Sequence, residues 1–210
     1  MEKVQQEVKA PVVTYSRLRM LVDGDGITTL VCFHGCPLRC KWCINPFSFD
    51  PETKVAHMTP QMLYDKVKLD ALYFIATGGG VTFGGGEPLL YPEFLQEFRG
   101  ICGQQWHLCA ETSLNVPWEN VHKAAQCIDV FIVDCKDTNP EIYRRYTGKD
   151  NAQMLDNLRR LLQMVGPERI LVRLPLIPEF NTEEDRNHSK RLLQEMGIQK
   201  FDLFSYKIKA

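Results

Sequence analysis

The stretch that decides the fold is residues 28–43, TTLVCFHGCPLRCKWC, in which a short apolar run passes directly into a loop with three closely spaced cysteines. The run 28–33 is apolar enough to be a strand covered on both faces. Gly35 and Pro37 then mark the start of a loop. The segment therefore predicts a strand whose carboxyl end delivers a group of thiols.

Five further apolar runs follow, and helical patterns lie between them. Strands that alternate with helices favour right-handed crossovers and a parallel sheet with helices outside. Six units are too few for the eight-stranded barrel, so we predict an α/β fold, a partial (β/α)6 barrel, with a doubly wound sheet as the alternative. The predicted strands are 28–33, 81–83, 106–110, 130–133, 170–174 and 201–206. The predicted helices are 60–76, 92–100, 117–127, 153–165 and 183–196.

Composition limits the class of protein. The chain has 210 residues with 25 basic and 26 acidic side chains, a net charge of -1 that argues against nucleic acid as the main partner. No apolar run approaches the roughly 20 residues that span a bilayer, so we expect no membrane partner. No linker or repeat divides the sequence. We therefore expect one domain over residues 1–210, in a cytoplasmic monomer.

Three cysteines, Cys36, Cys40 and Cys43, form a C-x3-C-x2-C pattern. Three thiolates can hold three irons of an iron–sulfur cubane and leave the fourth iron open to another ligand. The alternative is a structural zinc site in a non-catalytic interaction domain, which needs a fourth ligand such as His34 or Cys32. The other cysteines are expected to be small core residues; they are Cys32, Cys102, Cys109, Cys127 and Cys135.

With Trp42 before the last cysteine, this loop resembles that of the radical S-adenosylmethionine (radical SAM) enzymes. The resemblance implies one [4Fe-4S] cluster on Cys36, Cys40 and Cys43, with S-adenosyl-L-methionine on the open iron and Trp42 beside the cofactor. The cluster loop spans 34–47, and no ferredoxin insert is visible.

Three segments narrow the resemblance to the glycyl-radical-enzyme activating enzymes: LVDGDGI at 21–27, GGGVTFGGGEPLL at 78–90 and DVFIVDCK at 129–136. It implies reductive cleavage of S-adenosylmethionine to a 5′-deoxyadenosyl radical, which abstracts a hydrogen from a backbone glycine of a glycyl radical enzyme. It also implies an external electron donor such as flavodoxin. We expect the partner's peptide loop to enter at the carboxyl ends of the strands, near Asp23, Asp25 and the loop after Pro178.

The glycine segment 84–86 follows the second predicted strand, and glycines let backbone approach a ligand closely. On its own it is equally typical of a tight turn. By resemblance, Gly85, Gly86 and Glu87 bind the amino group of the cofactor. Gly84 stands where the activating enzymes usually have serine.

Charged and polar residues recur at the ends of the later strands, which predicts either a polar cavity or structural ion pairs. The resemblance implies a monovalent cation beside the cofactor carboxylate. Its ligands would be Glu111, Thr112, Asp134 and the carbonyl of Ile132, and the first three would also contact the cofactor. Lys136 and Arg173 are implied to be catalytic residues that face the cofactor. Each of these residues lies in or just after one of the later predicted strands.

The chain departs from the family pattern near the cofactor and the partner. Asp25 replaces a proline, Thr28 an arginine, Glu179 a glycine and Lys207 a histidine. A second hypothesis is therefore a radical SAM maturase that acts on another peptide or on a small molecule, because a fold alone does not determine function.

Overall fold

A computed structural model describes residues 7–207, so residues 1–6 and 208–210 of the predicted domain lie outside the described residues. The described strands form one eight-stranded sheet in the order β3-β1-β2-β4-β5-β6-β7-β8. The pairs from β2 through β8 are parallel, whereas β1 pairs antiparallel with both β2 and β3. The strands are β1 (Ala10–Met20), β2 (Ile27–Phe33), β3 (Ala56–Met58), β4 (Gly80–Gly85), β5 (His107–Thr112), β6 (Val130–Asp134), β7 (Ile170–Leu176) and β8 (Lys200–Ser205).

Seven α-helices accompany the sheet. Several begin at a side-chain cap that satisfies a free backbone N–H. Thr59 accepts from Met62 N at 3.1 Å, and Thr182 forms a capping box with Asp185. The helices are α1 (Pro60–Val67), α2 (Ala71–Thr77), α3 (Pro92–Cys102), α4 (Trp118–Ala124), α5 (Pro140–Thr147), α6 (Ala152–Val165) and α7 (Glu183–Met196).

The predicted α/β class and its six parallel strands are confirmed, in the predicted order along the chain. The parallel sheet with helices is consistent with the partial barrel. Described helices cover all five predicted helical segments, although 60–76 is divided. The break falls at Asp70, whose buried carboxylate accepts from Arg17 of β1 and Thr29 of β2. This long-range ion pair has no local signal in the sequence.

Three elements of the structure were not predicted from the sequence: β1, β3 and α5. Strand β1 alternates poorly because its register against β2 shifts between Val12 and Thr14 and again between Ser16 and Arg19. Strand β3 has only three residues, and two of them are exposed. Helix α5 is rich in charged and tyrosine side chains rather than in aliphatic ones. In β1 and β3 the hydrophobic periodicity on which prediction rests is therefore weak, whereas in α5 the buried face carries tyrosines rather than aliphatic residues.

Aromatic packing on the helix side fixes the two strands that lead to the site. Phe33 of β2 stacks on Phe83 of β4 with ring centroids 5.9 Å apart. Phe94 and Phe98 of α3 meet these rings edge-on at 5.5 and 5.4 Å. Each such pair contributes roughly 0.5–1.5 kcal/mol beyond the apolar area that it buries. These contacts therefore fix the position of the carboxyl end of β2 relative to that of β4.

No helix among residues 7–207 is long and apolar enough to cross a membrane. The single-domain boundary at 1–210 stays a prediction, although the described strands all belong to one sheet.

Candidate active site

A cavity of about 570 Å³ is lined by the loops and strand ends at the carboxyl edge of the parallel strands. It also reaches Arg19, which pairs with Thr28 near the amino end of β2, and Asp23 in the connection from β1 to β2. Asp23 is one of the residues near which we expect the partner's peptide loop to enter, and that entry face stays a prediction. The cavity brings together most of the predicted site residues: Cys36, Cys40, Cys43, Gly85, Gly86, Glu87, Glu111, Thr112, Asp134, Lys136 and Arg173.

The three cysteines lie in the loop after β2, which has little regular structure and is held by main-chain hydrogen bonds. Arg39 N donates to Thr147 O at 2.9 Å, and Lys41 N donates to Tyr146 O at 3.1 Å. The loop thus rests on the carboxyl end of α5. The cysteine residues line the cavity, whereas the intervening Arg39 and Lys41 are exposed.

Burial, and to a smaller extent neighbouring charges such as Glu87, raises the pKa of the Cys36 thiol to about 12. Burial likewise raises the pKa of Cys40 to about 11. Both thiols are therefore protonated at neutral pH until a positively charged metal centre binds, since metal coordination displaces the proton.

Cys36, Cys40 and Cys43 line one cavity, as a three-thiolate cluster requires. Among residues 7–207, no three His, Cys, Asp or Glu side chains form a group that could hold a metal ion, and this finding applies to the cluster and to the zinc site alike. His34 Nε2 lies 3.0 Å from Asp50 O, which leaves Nδ1 as the ring nitrogen that a zinc ion would need. Cys32 is buried and is not among the described residues that line the cavity.

The glycine segment is locked against β2 and the start of the cysteine loop. Gly86 N donates to Phe33 O at 2.9 Å, and Glu87 N donates to Gly35 O at 2.7 Å. A Cβ on Gly85 would lie 2.6 Å from Cys32 Cβ, and one on Gly86 would meet Gly35 O. The glycines are therefore required first for close packing of backbone on backbone.

Gly84 is explained by Glu111. A Cβ at Gly84 would lie 2.9 Å from Glu111 Oε2, so the Glu111 side chain takes the space that a serine would need.

Glu87 is fully buried and joins the end of β4 to the end of β5. Its carboxylate accepts from Thr112 Oγ1 at 2.7 Å, Ser113 N at 2.9 Å, Ser113 Oγ at 2.7 Å and Leu89 N at 3.2 Å. These four donors fill the acceptor positions of a carboxylate. Burial raises the pKa of Glu87 in spite of these hydrogen bonds. Its geometry is that of a side chain that positions the glycine segment.

A charged network crosses the cavity wall. Arg173 Nη1 donates to Glu111 Oε1 at 2.7 Å, and Arg173 Nε donates to Asp134 Oδ1 at 2.6 Å. Lys136 Nζ lies 3.1 Å from Asp134 Oδ2 and 3.4 Å from the Tyr206 hydroxyl. The predicted polar cavity and the predicted ion pairs are therefore the same feature.

The network decides the charge of each member. Burial opposes ionisation of Asp134, but Arg173 and Lys136 outweigh it and hold the pKa of Asp134 well below its ordinary value. Burial would lower the pKa of Lys136, yet Asp134 raises it well above the ordinary range. Burial raises the pKa of Glu111, which Arg173 partly offsets. Lys136 and Arg173 are thus cations throughout the physiological pH range.

Two predicted residues lie outside this lining. Ile132 is buried within β6, and within the described part of the chain Trp42 has a buried indole N–H without a hydrogen-bond partner. The sequence reading missed other lining residues, including Arg19, Ser113, Tyr146 and Asp202. Asp202 could have been found from its place in the last predicted strand, opposite Arg173 in the register. Tyr146 lies on α5, a helix that was not predicted from the sequence.

Residues 30–192 match the family model of the radical SAM superfamily. This chain belongs to that superfamily. As a radical SAM enzyme it is similar to the pyruvate formate-lyase-activating enzyme of Clostridium pasteurianum, with 30% identity over 188 residues, 89% of this chain and 78% of that protein. It is also 31% identical to the indoleacetate decarboxylase activating enzyme of Tractidigestivibacter scatoligenes, over 79% of this chain and 72% of that protein.

The fold has counterparts among solved radical SAM structures. Streptococcus suis SuiB bound to S-adenosylmethionine superposes with a TM-score of 0.64 at 14% identity, over 83% of this chain and 39% of SuiB. This likeness concerns the fold alone. Together with the family match, it confirms the predicted radical SAM fold, and the named relatives confirm the resemblance to glycyl-radical-enzyme activating enzymes.

Proposed function

We propose that this enzyme activates a glycyl radical enzyme by abstracting hydrogen from one of that partner's backbone glycines. One observation carries the proposal: a single cavity gathers three thiols, the glycine segment and the Arg173 network. The named relatives support the choice of partner, since they are activating enzymes of this kind.

Cys36, Cys40 and Cys43 would hold a [4Fe-4S] cluster, and the same cavity would hold S-adenosyl-L-methionine. When bound and reduced, the cluster supplies the electron that splits this cofactor into methionine and a 5′-deoxyadenosyl radical. Lys136 and Arg173 place positive charge where a cofactor carboxylate needs it, and are our candidates for the catalytic residues. Glu87 holds the glycine segment in the position that receives the amino group.

A monovalent cation bound by Glu111, Thr112, Asp134 and the carbonyl of Ile132 stays a prediction. Glu111 Oε1 and Asp134 Oδ1 already accept from Arg173, and Asp134 Oδ2 faces Lys136. The Thr112 hydroxyl donates to Glu87. Arg173 therefore supplies the positive charge that these carboxylates require, and no step of the proposal uses a further cation.

The proposal requires two partners. The glycyl radical enzyme must offer a mobile peptide loop, because a glycine Cα–H reaches the cavity only if its segment leaves its own core. An external one-electron carrier such as flavodoxin must supply the electron. We expect the enzyme to act as a cytoplasmic monomer.

The first test is metal content after anaerobic reconstitution. We expect about four irons per chain in the unaltered protein, and loss of the cluster after Cys36→Ala, Cys40→Ala or Cys43→Ala. Cys102→Ala and Cys127→Ala are matched controls because, in the described structure, neither residue lines the cavity. Stoichiometric zinc without iron would instead support the non-catalytic zinc domain.

The second test follows the hydrogen. With deuterium at the partner glycine Cα, label should appear in 5′-deoxyadenosine, and the partner should show an organic radical in its spin-resonance spectrum. If cofactor cleavage proceeds but deuterium comes only from a free peptide or a small molecule, the proposal is wrong and the maturase hypothesis replaces it.

A further inference from the structure

The outer surface of the cysteine loop carries a group of cations that the mechanism does not use. We call the exposed side chains of Arg39, Lys41, Arg144, Arg145 and Lys149 the basic rim. The main-chain hydrogen bonds from Arg39 and Lys41 to Thr147 and Tyr146 join the loop to the end of α5. The five residues therefore lie on two adjoining segments, the cysteine loop and the end of α5 with the residues that follow it.

Composition does not explain this grouping. The chain as a whole has 25 basic and 26 acidic residues, so cations are not in excess. Local structure accounts for three of the five. Arg39 donates to Cys36 O at 2.6 Å, Arg144 pairs with Asp150 at 2.9 Å, and Arg145 donates to Phe180 O at 2.6 Å.

Lys41 and Lys149 differ from these arginines. Among residues 7–207, neither ammonium group makes an ion pair or a side-chain hydrogen bond. Lys41 also lies between Cys40 and Cys43, which line the cavity from the inner side of the same loop. The loop thus has an inner face of thiols and an outer face with unneutralised positive charge.

We propose that the basic rim is the docking surface for an acidic one-electron carrier protein. This inference rests on the proposed function, which requires an external donor. A negatively charged carrier would be steered to this surface, since charge complementarity raises association rates. Docking at Lys41 would bring the carrier beside Cys40 and Cys43, two of the residues that would hold the cluster. The carrier loses one electron and the cluster gains it, with no bond made or broken.

The position also separates two partners. The substrate peptide must reach the cavity, whereas Arg39 and Lys41 are not among the described residues that line it. A carrier on the basic rim would leave the cavity open to the glycyl radical enzyme.

The test uses reconstituted protein and reduced flavodoxin, with cluster reduction followed by rapid-mixing absorbance. The double variant Lys41→Glu/Lys149→Glu should lower the second-order rate about 10-fold or more at low salt. Lys41→Arg/Lys149→Arg should retain the rate, as should Lys66→Glu, which changes an exposed lysine on α1. Raising the salt from about 0.01 to 0.15 M shortens the screening length from about 30 to 8 Å, and should slow the wild type more than the charge-reversed variant.

Equal rates in the wild type and the charge-reversed variant, or a wild-type rate independent of salt, would overturn the inference. So would a normal flavodoxin rate combined with slower glycyl radical formation by photoreduced enzyme, because the surface would then belong to the glycyl radical enzyme. Photochemical reduction should be equal in all variants. A protein that assembles no reducible cluster contradicts the proposed function itself, and the inference with it.

Discussion

Two arginines, Arg99 and Arg173, lie at opposite ends of the same sheet, and each binds a carboxylate. Arg99 of α3 pairs with Asp129, just before β6, and also donates to the carbonyls of Cys127, Gly103 and Trp106 at 2.8–2.9 Å. Arg173 of β7 donates only to the side chains of Glu111 and Asp134, among the described residues, and it lines the cavity.

The difference teaches how a buried ion pair can be assigned. Arg99 is saturated by backbone carbonyls from two separate connections, α3–β5 and α4–β6, so its role is to hold them together. Arg173 lines the cavity, and its donors face only side chains, whose hydrogen bonds a ligand can replace. In parallel α/β barrels, stability depends on the amino end of the strands and chemistry on the carboxyl end, and these two arginines follow that division.

The largest expected effect is on activity. Arg173→Gln should lower the rate of 5′-deoxyadenosine formation by about 10²–10³-fold, because it removes positive charge aimed at the bound cofactor. Its free energy of unfolding should fall by only about 1 kcal/mol, because Lys136 still pairs with Asp134 and because Glu111, whose pKa burial already raises, can bind a proton. Anaerobic turnover and urea unfolding measure the two quantities.

Arg173→Lys is the matched control, since it keeps the charge but loses the planar fork and should retain part of the activity. A large loss of stability with unchanged activity per folded molecule would make Arg173 a structural residue like Arg99, and the contrast would fail.

The second expected effect is on stability and not on activity. Arg99→Met should lower the free energy of unfolding by about 3 kcal/mol, because three buried carbonyls each lose a donor at roughly 1 kcal/mol. Urea unfolding checks this value. Iron content and cofactor cleavage per folded molecule should equal those of the unaltered protein, and an isolated loss of cleavage would show that the amino end contributes to catalysis.

The smallest expected effect concerns Glu87. This residue lies at the carboxyl end of the parallel strands, but hydrogen bonds already occupy its acceptor positions, just as they occupy the donors of Arg99. Burial raises its folded-state pKa above the ordinary value of 4.5, so the folded state binds the proton more tightly than the unfolded chain does. The stabilisation is complete below the ordinary pKa and is lost as the pH rises through the raised one. Glu87→Gln should remove this dependence.

Urea unfolding of both proteins between about pH 4 and pH 8 tests this sign: the free energy of unfolding of the unaltered protein, relative to that of Glu87→Gln, should fall as the pH rises. A difference that does not vary with pH would show that Glu87 has the same pKa in the folded and unfolded states.

The elements that could be predicted from the sequence are those whose signals are local in the chain. The six parallel strands were predictable because their apolar runs are continuous and separated by helical patterns. The cysteine loop was predictable because its ligand spacing is local. Strand β1 was not predictable, since register shifts interrupt its alternation and Arg17 pairs with Asp70, which is 53 residues away.

The site shows the same limit. From the sequence alone, Glu111, Asp134 and Arg173 could be either structural ion pairs or cavity residues, because a local pattern carries no information about what a side chain faces. The distances from Arg173 to both carboxylates show that they form one network on the cavity wall.

The sequence by itself determined the order of the strands, the identity of the thiols and the family resemblance, because each depends on residues that are near neighbours in the chain. Only the tertiary structure decided that Gly85 and Gly86 pack on β2 and the cysteine loop, that Glu87 is saturated and that Lys41 faces outward. These features arise where segments distant in sequence meet, and their energies depend on burial and on the partners available at that point of the fold.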